Sequence, residues 1–409
     1  MTNVMEGIRI LEVAEHTFVP AASAILSDWG AEVIKIEHVE RGDAMRGLMN
    51  TGLAGLGGSV HVLNEHANRG KKSLGLDLTS PAGLDILYKL AARCDVFLTN
   101  KMAGVRERLH IDVDDIRAHN PNIVYVRGTG YGNEGPDADA GGYDFLGFWA
   151  RAGCADAATP TDLEGMISQP APAYGDSIGA MTIAGGIAAA LLHRERTGEA
   201  HVVDVSLLAA GMWAMGSGIA LSQLGGMRIG AGPLSVRGGA PSNPLIGTYL
   251  TSDGRYLAFS MLQGFHYWPD VCRHIGREEL IDDPRFNTVE KLMENTPAAA
   301  EIVAAELGAR TLAEWRERFV GMKGQWAVVQ NTLELADDPQ VQANGYLQDL
   351  ESADGVPFQL VATPVQFDGA PSPTRRAPEF NEGGDEILAE ELGLDWDAIV
   401  DLKVNGVVA

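Results

Sequence analysis

The chain is poor in the features that mark several common protein classes. Its three cysteines, Cys94, Cys154 and Cys272, lie far apart and form no CxxC. That argues against a disulfide scaffold or a thiolate metal site and suits buried, reduced thiols. The ten histidines are scattered, with no HExxH or paired-ligand spacing, so no metal is expected. There is no GxSxG elbow, which speaks against a serine hydrolase. No apolar run exceeds about 15 residues, short of the ~20 that span a bilayer. The start, Met-Thr-Asn-Val-Met-Glu-Gly, lacks the basic and apolar regions of a signal peptide. A cytoplasmic location is expected. Basic residues are also scarce: 31 Lys and Arg face 55 Asp and Glu, a net charge of −24. That excess opposes binding to nucleic acid or an anionic membrane. It leaves room for an anionic small molecule held by a local basic cluster.

What is present reads as a soluble α/β protein. Hydrophobic residues make up 45% and charged residues 21% of the 409, enough for a sizeable core and two domains. Ile8 to Val13 reads as a strand, residues 20–29 as a helix closed by Gly30, and Glu32 to Glu37 as a second strand. Further strands are expected at 74–78, 96–98, 123–127 and 200–204. Helices are expected at 82–94, 112–118 and 205–224. This alternation predicts a wound, mainly parallel sheet. A Gly-, Ser- and Pro-rich stretch at 225–243 reads as a linker. Beyond it come a hairpin with an Asp253-Gly254 turn, helices over 264–323, and short strands with a C-terminal helical pair.

Asp176 stands out. It sits between the extended Pro172-Ala173-Tyr174-Gly175 and a run from Ile178 to Leu192 made of Ala, Gly, Ile, Leu, Met and one Thr. The pattern is a buried helix with Asp176 at or next to its N-cap and Gly198 just past its end. Most such aspartates only cap. A carboxylate at a positive helix start is also expected to stay ionised when partly buried, and an ionised, partly dehydrated carboxylate can attack an activated acyl group.

Gly130-Tyr131-Gly132-Asn133-Glu134-Gly135 matches GxGxxG, but Pro136 follows at once and no helix is expected there, so a dinucleotide fold is not supported. A loop beside a ligand fits better. Asn68-Arg69-Gly70-Lys71-Lys72 and the segment from Asn100 to Arg108 are the main basic clusters. Both lie near predicted strand ends, where wound sheets bind ligands, and together they suit a polyphosphate.

Taken in order, these pieces resemble the class III CoA-transferase family, the group of formyl-CoA and carnitine CoA-transferases. The resemblance runs through Gly30 to Glu37, Gly42-Asp43-Ala44-Met45-Arg46, Asn68 to Ser73, Asp77-Leu78, Asn120-Pro121, Gly130-Tyr131-Gly132, Gly135-Pro136, Gly142-Tyr143-Asp144, Gly175-Asp176 and Arg196-Thr197-Gly198. It continues in Asp253-Gly254, Trp268, Asp283-Pro284-Arg285-Phe286 and Asp338-Pro339-Gln340. It implies a Rossmann-like large domain with a smaller α+β domain, in an interlocked homodimer. Residues 1–224 would form the first part of the large domain, 225–243 the linker and 244–325 the small domain. Residues 326–409 would return to the large domain.

The resemblance places the nucleophile on Asp176. It places contacts to coenzyme A on Thr17, Phe18, His38, the turn Leu76, Asp77, Leu78 and Thr79, and on Asn100, Lys101, Met102, Arg108, Tyr143 and Asp144. It implies no permanently bound cofactor: coenzyme A is part of the substrate. The expected partners are an acyl-CoA and a carboxylic acid acceptor. The chain departs from the family at His38, where several members carry Arg, and at Glu15-His16. The family's Gly-rich loop maps loosely onto Gly238-Gly239-Ala240. α-Methylacyl-CoA racemases, which use a His and an Asp, share the fold and form the alternative. Their His aligns with Tyr143, and a phenol with a pKa near ~10 is a poor base, which favours the transferase. Backbone N–H groups near Ser177 are the expected oxyanion donors.

Overall fold

The computed structural model describes residues 3–50, 58–232 and 243–409. The expected loop at 238–240, and most of the expected linker, lie outside the described residues. The chain divides into two compact units. The larger comprises Met1–Thr159, Gly165–Gly230 and Pro339–Ala409; the smaller comprises Pro160–Glu164 and Ala231–Asp338.

The larger unit is built on six parallel strands: β1 (Arg9–Val13), β2 (Glu32–His38), β3 (Lys72–Leu76), β4 (Val96–Thr99), β5 (Val124–Thr129) and β6 (Val202–Ser206). Their order is β3-β2-β1-β4-β5-β6, the doubly wound arrangement. The central strands are apolar on both faces because helices cover both sides. Ile10, Val33, Val96, Leu98, Val124 and Val126 pack on one side with the helices Phe18–Asp28 and Tyr174–Thr197. Leu11, Ile34, Leu74, Phe97 and Tyr125 pack on the other with Pro81–Ala91 and Val113–His119.

The strand order reverses between β1 and β4. Crevices at the carboxyl ends of strands on either side of such a switch point bind ligands. Glu15 and His16 follow β1 there, and Asn100 and Lys101 follow β4.

The sheet carries a fully buried ion network. Glu12 on β1 accepts from Lys35 Nζ on β2 and from Lys71 Nζ, each at 2.8 Å, and Lys35 also pairs with Asp43 at 2.8 Å. Burial opposes ionisation of Glu12, but the two ammonium groups prevail and hold its carboxyl below the usual range. The network reaches the crevice because Asp43 Oδ1 accepts from the His16 backbone N–H at 3.0 Å.

Residues 339–409 complete the sheet edge. Val408 bridges Leu76 in antiparallel fashion, Asp77 N donates to Val407 O at 2.9 Å, and Ala409 N donates to Gly75 O at 3.1 Å.

The smaller unit has an antiparallel sheet, β7 (Ile246–Leu250), β8 (Tyr256–Ser260) and β9 (Trp326–Val328), packed with the helices Gly264–Ile275 and Thr296–Leu307. Trp326 was expected in the segment returning to the larger unit. It pairs with Phe259 instead, so the smaller unit extends to Asp338.

One helix expectation changes. The single helix expected over 205–224 is a strand to Ser206 followed by helices Leu207–Ala214 and Gly216–Gly225, bent by 70°. Ser206 caps the first through its Oγ, which accepts from Ala209 N at 3.0 Å, and Gly211, Gly216 and Gly218 make continuation costly. The buried helix expected to begin near Asp176 and to end before Gly198 runs from Tyr174 to Thr197, 24 residues, with the left-handed Gly198 just past its end. That helix is long and apolar enough to cross a membrane, but Gly179, Ala180, Ile183, Ala184, Ile187, Ala190 and Leu191 are buried in the core of the larger unit.

Candidate active site

Asp176 enters the site on the first turn of the Tyr174–Thr197 helix. The N-cap is Ala173, in a left-handed conformation with φ 57°, so Asp176 lies three residues inside rather than at the cap. An L-residue held there stores backbone strain beside the carboxylate. Two glycines seat the turn. A Cβ on Gly175 would lie 2.5 Å from Phe148 Cγ, and one on Gly179 would overlap the Phe18 ring. The Ser177 N–H, expected as an oxyanion donor, is already bonded to Ala173 O at 2.9 Å. Helix geometry leaves the N–H groups of Tyr174, Gly175 and Asp176 without acceptors inside the helix.

The expectation that Asp176 stays ionised does not hold for this arrangement. Burial, then the neighbouring Asp144 carboxylate, push the half-buried Asp176 up to about 8. These effects outweigh the helix start, whose field is worth roughly 1 kcal/mol.

Asp176 opens into a cavity of about 500 Å³ lined by residues from the ends of β1, β4 and β5. Phe18, Asn100, Lys101, Met102, Arg108 and Tyr143, all expected at a coenzyme A site, line it. His38 and the turn Leu76, Asp77, Leu78 and Thr79 line an adjoining cavity of about 270 Å³. Glu15, Arg41, Lys101, Val105 and Arg108 line both, so the two form one groove with a charged neck. The Leu76–Thr79 turn is rigid because Asp77 Oδ1 accepts from Thr79 N at 2.9 Å and from its hydroxyl at 2.6 Å. Asn100 grips Glu15 at both ends: its Oδ1 accepts from Glu15 N at 3.1 Å and its Nδ2 donates to Glu15 O at 2.6 Å.

Two expected residues line neither cavity. Thr17 is buried at the start of the Phe18–Asp28 helix. Asp144 is buried, with its carboxylate accepting from Phe145 N at 2.7 Å and from Gln169 Nε2 at 3.0 Å. Its reach to Asp176 is electrostatic.

The first basic cluster also departs from expectation. Arg69 pairs with Asp28 at 2.9 Å and Lys71 with Glu12, both buried. They stand at the start of β3, away from the strand carboxyl ends, and serve the core. A larger cavity of about 690 Å³ opens there, lined by Asp28, Glu32, Lys72 and Arg375 among others, but it contains none of the expected site residues.

Sequence reasoning missed Glu15, His16 and Arg41 as groove residues. His16 has φ 67° and packs edge-on to Tyr143 with ring centroids 5.5 Å apart. The signal for the first two was the unusual Glu-His pair before the helix. Arg41 had none beyond its place before Gly42-Asp43.

Comparison with known proteins agrees with this geometry. The family described as CoA-transferase family III matches residues 5–384. The chain is similar to (R)-2-hydroxy-4-methylpentanoate CoA-transferase of Clostridioides difficile, 30% identical over 407 residues and 99% of each protein. It is also similar to cinnamoyl-CoA:phenyllactate CoA-transferase of Clostridium sporogenes, 30% identical over 404 residues, 98% of this chain and 96% of that one. Among solved structures, a CAIB/BAIF family protein from Brucella suis superposes with a TM-score of 0.80 at 25% identity, covering 96% of this chain and 100% of that one. Rv3272 from M. tuberculosis, in an orthorhombic form, gives 0.78 at 26% identity, covering 93% and 97%. A family match over nearly the whole chain, full-length relatives of that activity, and a carboxylate at the end of a cationic groove lead to one conclusion: the chain belongs to CoA-transferase family III and is a CoA-transferase.

Proposed function

We propose that the chain moves coenzyme A from an acyl-CoA to a free carboxylic acid through covalent intermediates on Asp176. The observation that carries this reading is the single groove joining the Asp176 carboxylate to the cationic neck and the Leu76–Thr79 turn. An Asp176 oxygen attacks the donor thioester carbonyl; the C–S bond breaks and coenzyme A leaves as thiolate, giving an aspartyl–acyl anhydride. The thiolate then attacks the Asp176 carbonyl. The anhydride C–O bond breaks, the donor acid leaves, and an aspartyl–CoA thioester remains. The acceptor carboxylate attacks that thioester and expels the thiolate, which attacks the acceptor's carbonyl and frees Asp176. Each step exchanges leaving groups of comparable quality, so no external energy source enters. The N–H groups of Tyr174 and Gly175 are placed to receive developing oxyanion charge.

The wall formed by Phe18, Met102 and Leu207 supports an apolar acyl group. Lys101, Arg106 and Arg127 are already paired with Glu15, Asp112 and Asp204. Arg41 and Arg108, without ion pairs among the described residues, stand at the neck shared with the second cavity, and we read the acids as apolar monocarboxylates on the strength of the apolar wall. The first relatives, named for a branched and an aryl hydroxy acid, agree.

We further read the protein as an interlocked homodimer acting in the cytoplasm. Support for the dimer comes from the helix Gly216–Gly225, which buries none of its residues, and from Trp213 and Leu224, each 87% exposed in the single chain.

The test is Asp176→Asn. It is expected to lower turnover by ~10³-fold or more while coenzyme A binding persists, because only a transition-state interaction is removed. Hydroxylamine should trap an acyl-aspartate in the parent. A variant retaining more than about a tenth of parental turnover removes Asp176 from this role. Exchange of the substrate α-hydrogen with solvent, without acid-dependent transfer, would point to a racemase.

A further inference from the structure

His66 touches the turn that presents Asp176, yet the transfer chemistry does not use it. Its Nε2 lies 3.2 Å from Ser177 Oγ. Ser177 in turn bonds Ala173 O twice, through its backbone N–H and through its hydroxyl, each at 2.9 Å. A serine hydroxyl has one proton and two lone pairs. With that proton on Ala173 O, the oxygen can only accept from His66, so Nε2 carries the ring proton. Burial and Arg69 lower the imidazole to about 4, so it is neutral and has that single N–H to give.

Ala173 is where this bonding counts. It is the helix N-cap, with φ 57° and ψ 27°. A residue with a Cβ stays in the left-handed region only where its surroundings over-determine it. The second bond to Ala173 O adds to that constraint. His66 stands on a stiff base, the helix Val62–Asn68. There Asn68 Nδ2 donates to Asn64 Oδ1 at 3.0 Å, and Asn68 Oδ1 accepts at 3.1 Å from Lys71 Nζ, the ammonium bound to Glu12. The buried ion network thereby reaches the turn before Asp176 by way of His66.

We propose that His66 is a positioning residue for Asp176: it holds the Ser177 hydroxyl on Ala173 O and so keeps the left-handed turn that aims the carboxylate into the groove. This rests on the reading of Asp176 as the nucleophile. Asp176 lies three residues past Ala173, so a rotation there swings the carboxylate off the line of attack on the thioester carbonyl. A misplacement of about 1 Å can cost up to ~10²-fold in rate. Coenzyme A is held elsewhere in the groove, so its binding does not depend on this turn.

The experiment is steady-state transfer between one acyl-CoA and one acid, on parent, His66→Leu, His66→Gln, Ser177→Ala and the double variant His66→Leu with Ser177→Ala, with Asp176→Asn alongside. His66→Leu should lower kcat about tenfold and leave KM for the acyl-CoA within about twofold. Gln carries an amide N–H at the reach of the imidazole Nε2, so His66→Gln should stay within about threefold of the parent. Ser177→Ala should lower kcat as His66→Leu does, and the double variant should be no slower than either, because the two side chains act as one unit. Should His66→Leu fail to fold, His66→Asn decides in its place: its amide is too short to reach Ser177, so it must lose what Gln keeps. A His66→Leu or Ser177→Ala protein with parental kcat overturns the proposal. So does a loss that falls on KM, a Gln variant as slow as the Leu variant, or losses that multiply in the double variant. If any of these appears while Asp176→Asn still abolishes transfer, the nucleophile stands and the role of His66 falls. If Asp176→Asn retains turnover, both fall.

Discussion

Replacing Asp144 with asparagine should make Asp176 more acidic and the enzyme faster at neutral pH. Asp176 is raised from 3.8 to about 8 by two causes, burial first and the Asp144 carboxylate second. At 1.36 kcal/mol per pH unit, ionising the carboxylate costs about 6 kcal/mol more than in water. Only about a tenth of the free enzyme then carries the nucleophilic form at pH 7. Burial is the larger cause, so Asp144 accounts for less than half of the rise; about one pH unit is a fair share. Without that charge about half the enzyme would be ionised at pH 7, an increase of roughly fivefold in kcat/KM there. The plateau at high pH should not change, because the amide still accepts from Phe145 N. Gln169, whose Oε1 is buried without a partner among the described residues, can turn its amide to meet the new NH2 group. The assay is kcat/KM against pH for parent and Asp144→Asn with one acyl-CoA, so that substrate titration cancels. The parent limb should rise through pH 8 and the variant limb about one unit lower. An unmoved limb, or a parent profile already flat above pH 5, refutes the reasoning.

Other consequences are open to measurement. Because the folded pKa of Asp176 is raised, the ionised form destabilises the fold increasingly as pH climbs from 3.8 to about 8; Asp176→Asn should therefore raise the thermal midpoint, more at pH 9 than at pH 6. His66, 3.2 Å from Ser177 Oγ, is lowered from 6.5 to about 4 by burial and by Arg69. The unfolded chain then binds this proton first, so stability present above pH 6.5 is lost as pH falls towards 4, by at most about 3 kcal/mol; His66→Gln should flatten that part of a urea-midpoint profile. Gly179→Ala drives a methyl into the Phe18 ring and should cost about 1–2 kcal/mol despite the better helix former, read as a lower thermal midpoint. If the chains interlock, unfolding and dissociation coincide with a midpoint that rises with protein concentration; a folded monomer at high dilution in sedimentation would contradict it.

The wound sheet was legible in the sequence because each central strand is a short apolar run between turn signals, as in Val96 to Leu98. Its ends were not: the 205–224 segment reads as one apolar helix, and only tertiary packing shows the break after Ala214. Asp176 was found because a lone carboxylate heads an almost wholly apolar helix. Its raised pKa was not legible because the local pattern displays the helix start but hides the burial of the carboxyl, the larger cause, and Asp144, 32 residues earlier in the chain. The basic cluster at 68–72 misled for a related reason. Lys71 turns inward to Glu12, 59 residues away in sequence, a pairing that local sequence does not reveal. The pairing of Lys101 with Glu15 was equally hidden, 86 residues apart.

The closure of β3 by residues 407–409 also bears on how this protein is made. Gly75 and Ala409 meet across 334 positions of sequence, and all of the smaller unit's main segment lies between them. While a nascent chain ends at residue 338, the sheet is formed but the outer edge of β3 still presents unpaired backbone groups. Such an edge recruits other strands. Synthesis at roughly 5–20 residues per second leaves it uncovered for several seconds. The folding hazard of this chain therefore lies in the interval between finishing the smaller unit and delivering the final segment, and crowded polysomes are where neighbouring chains would meet at that edge.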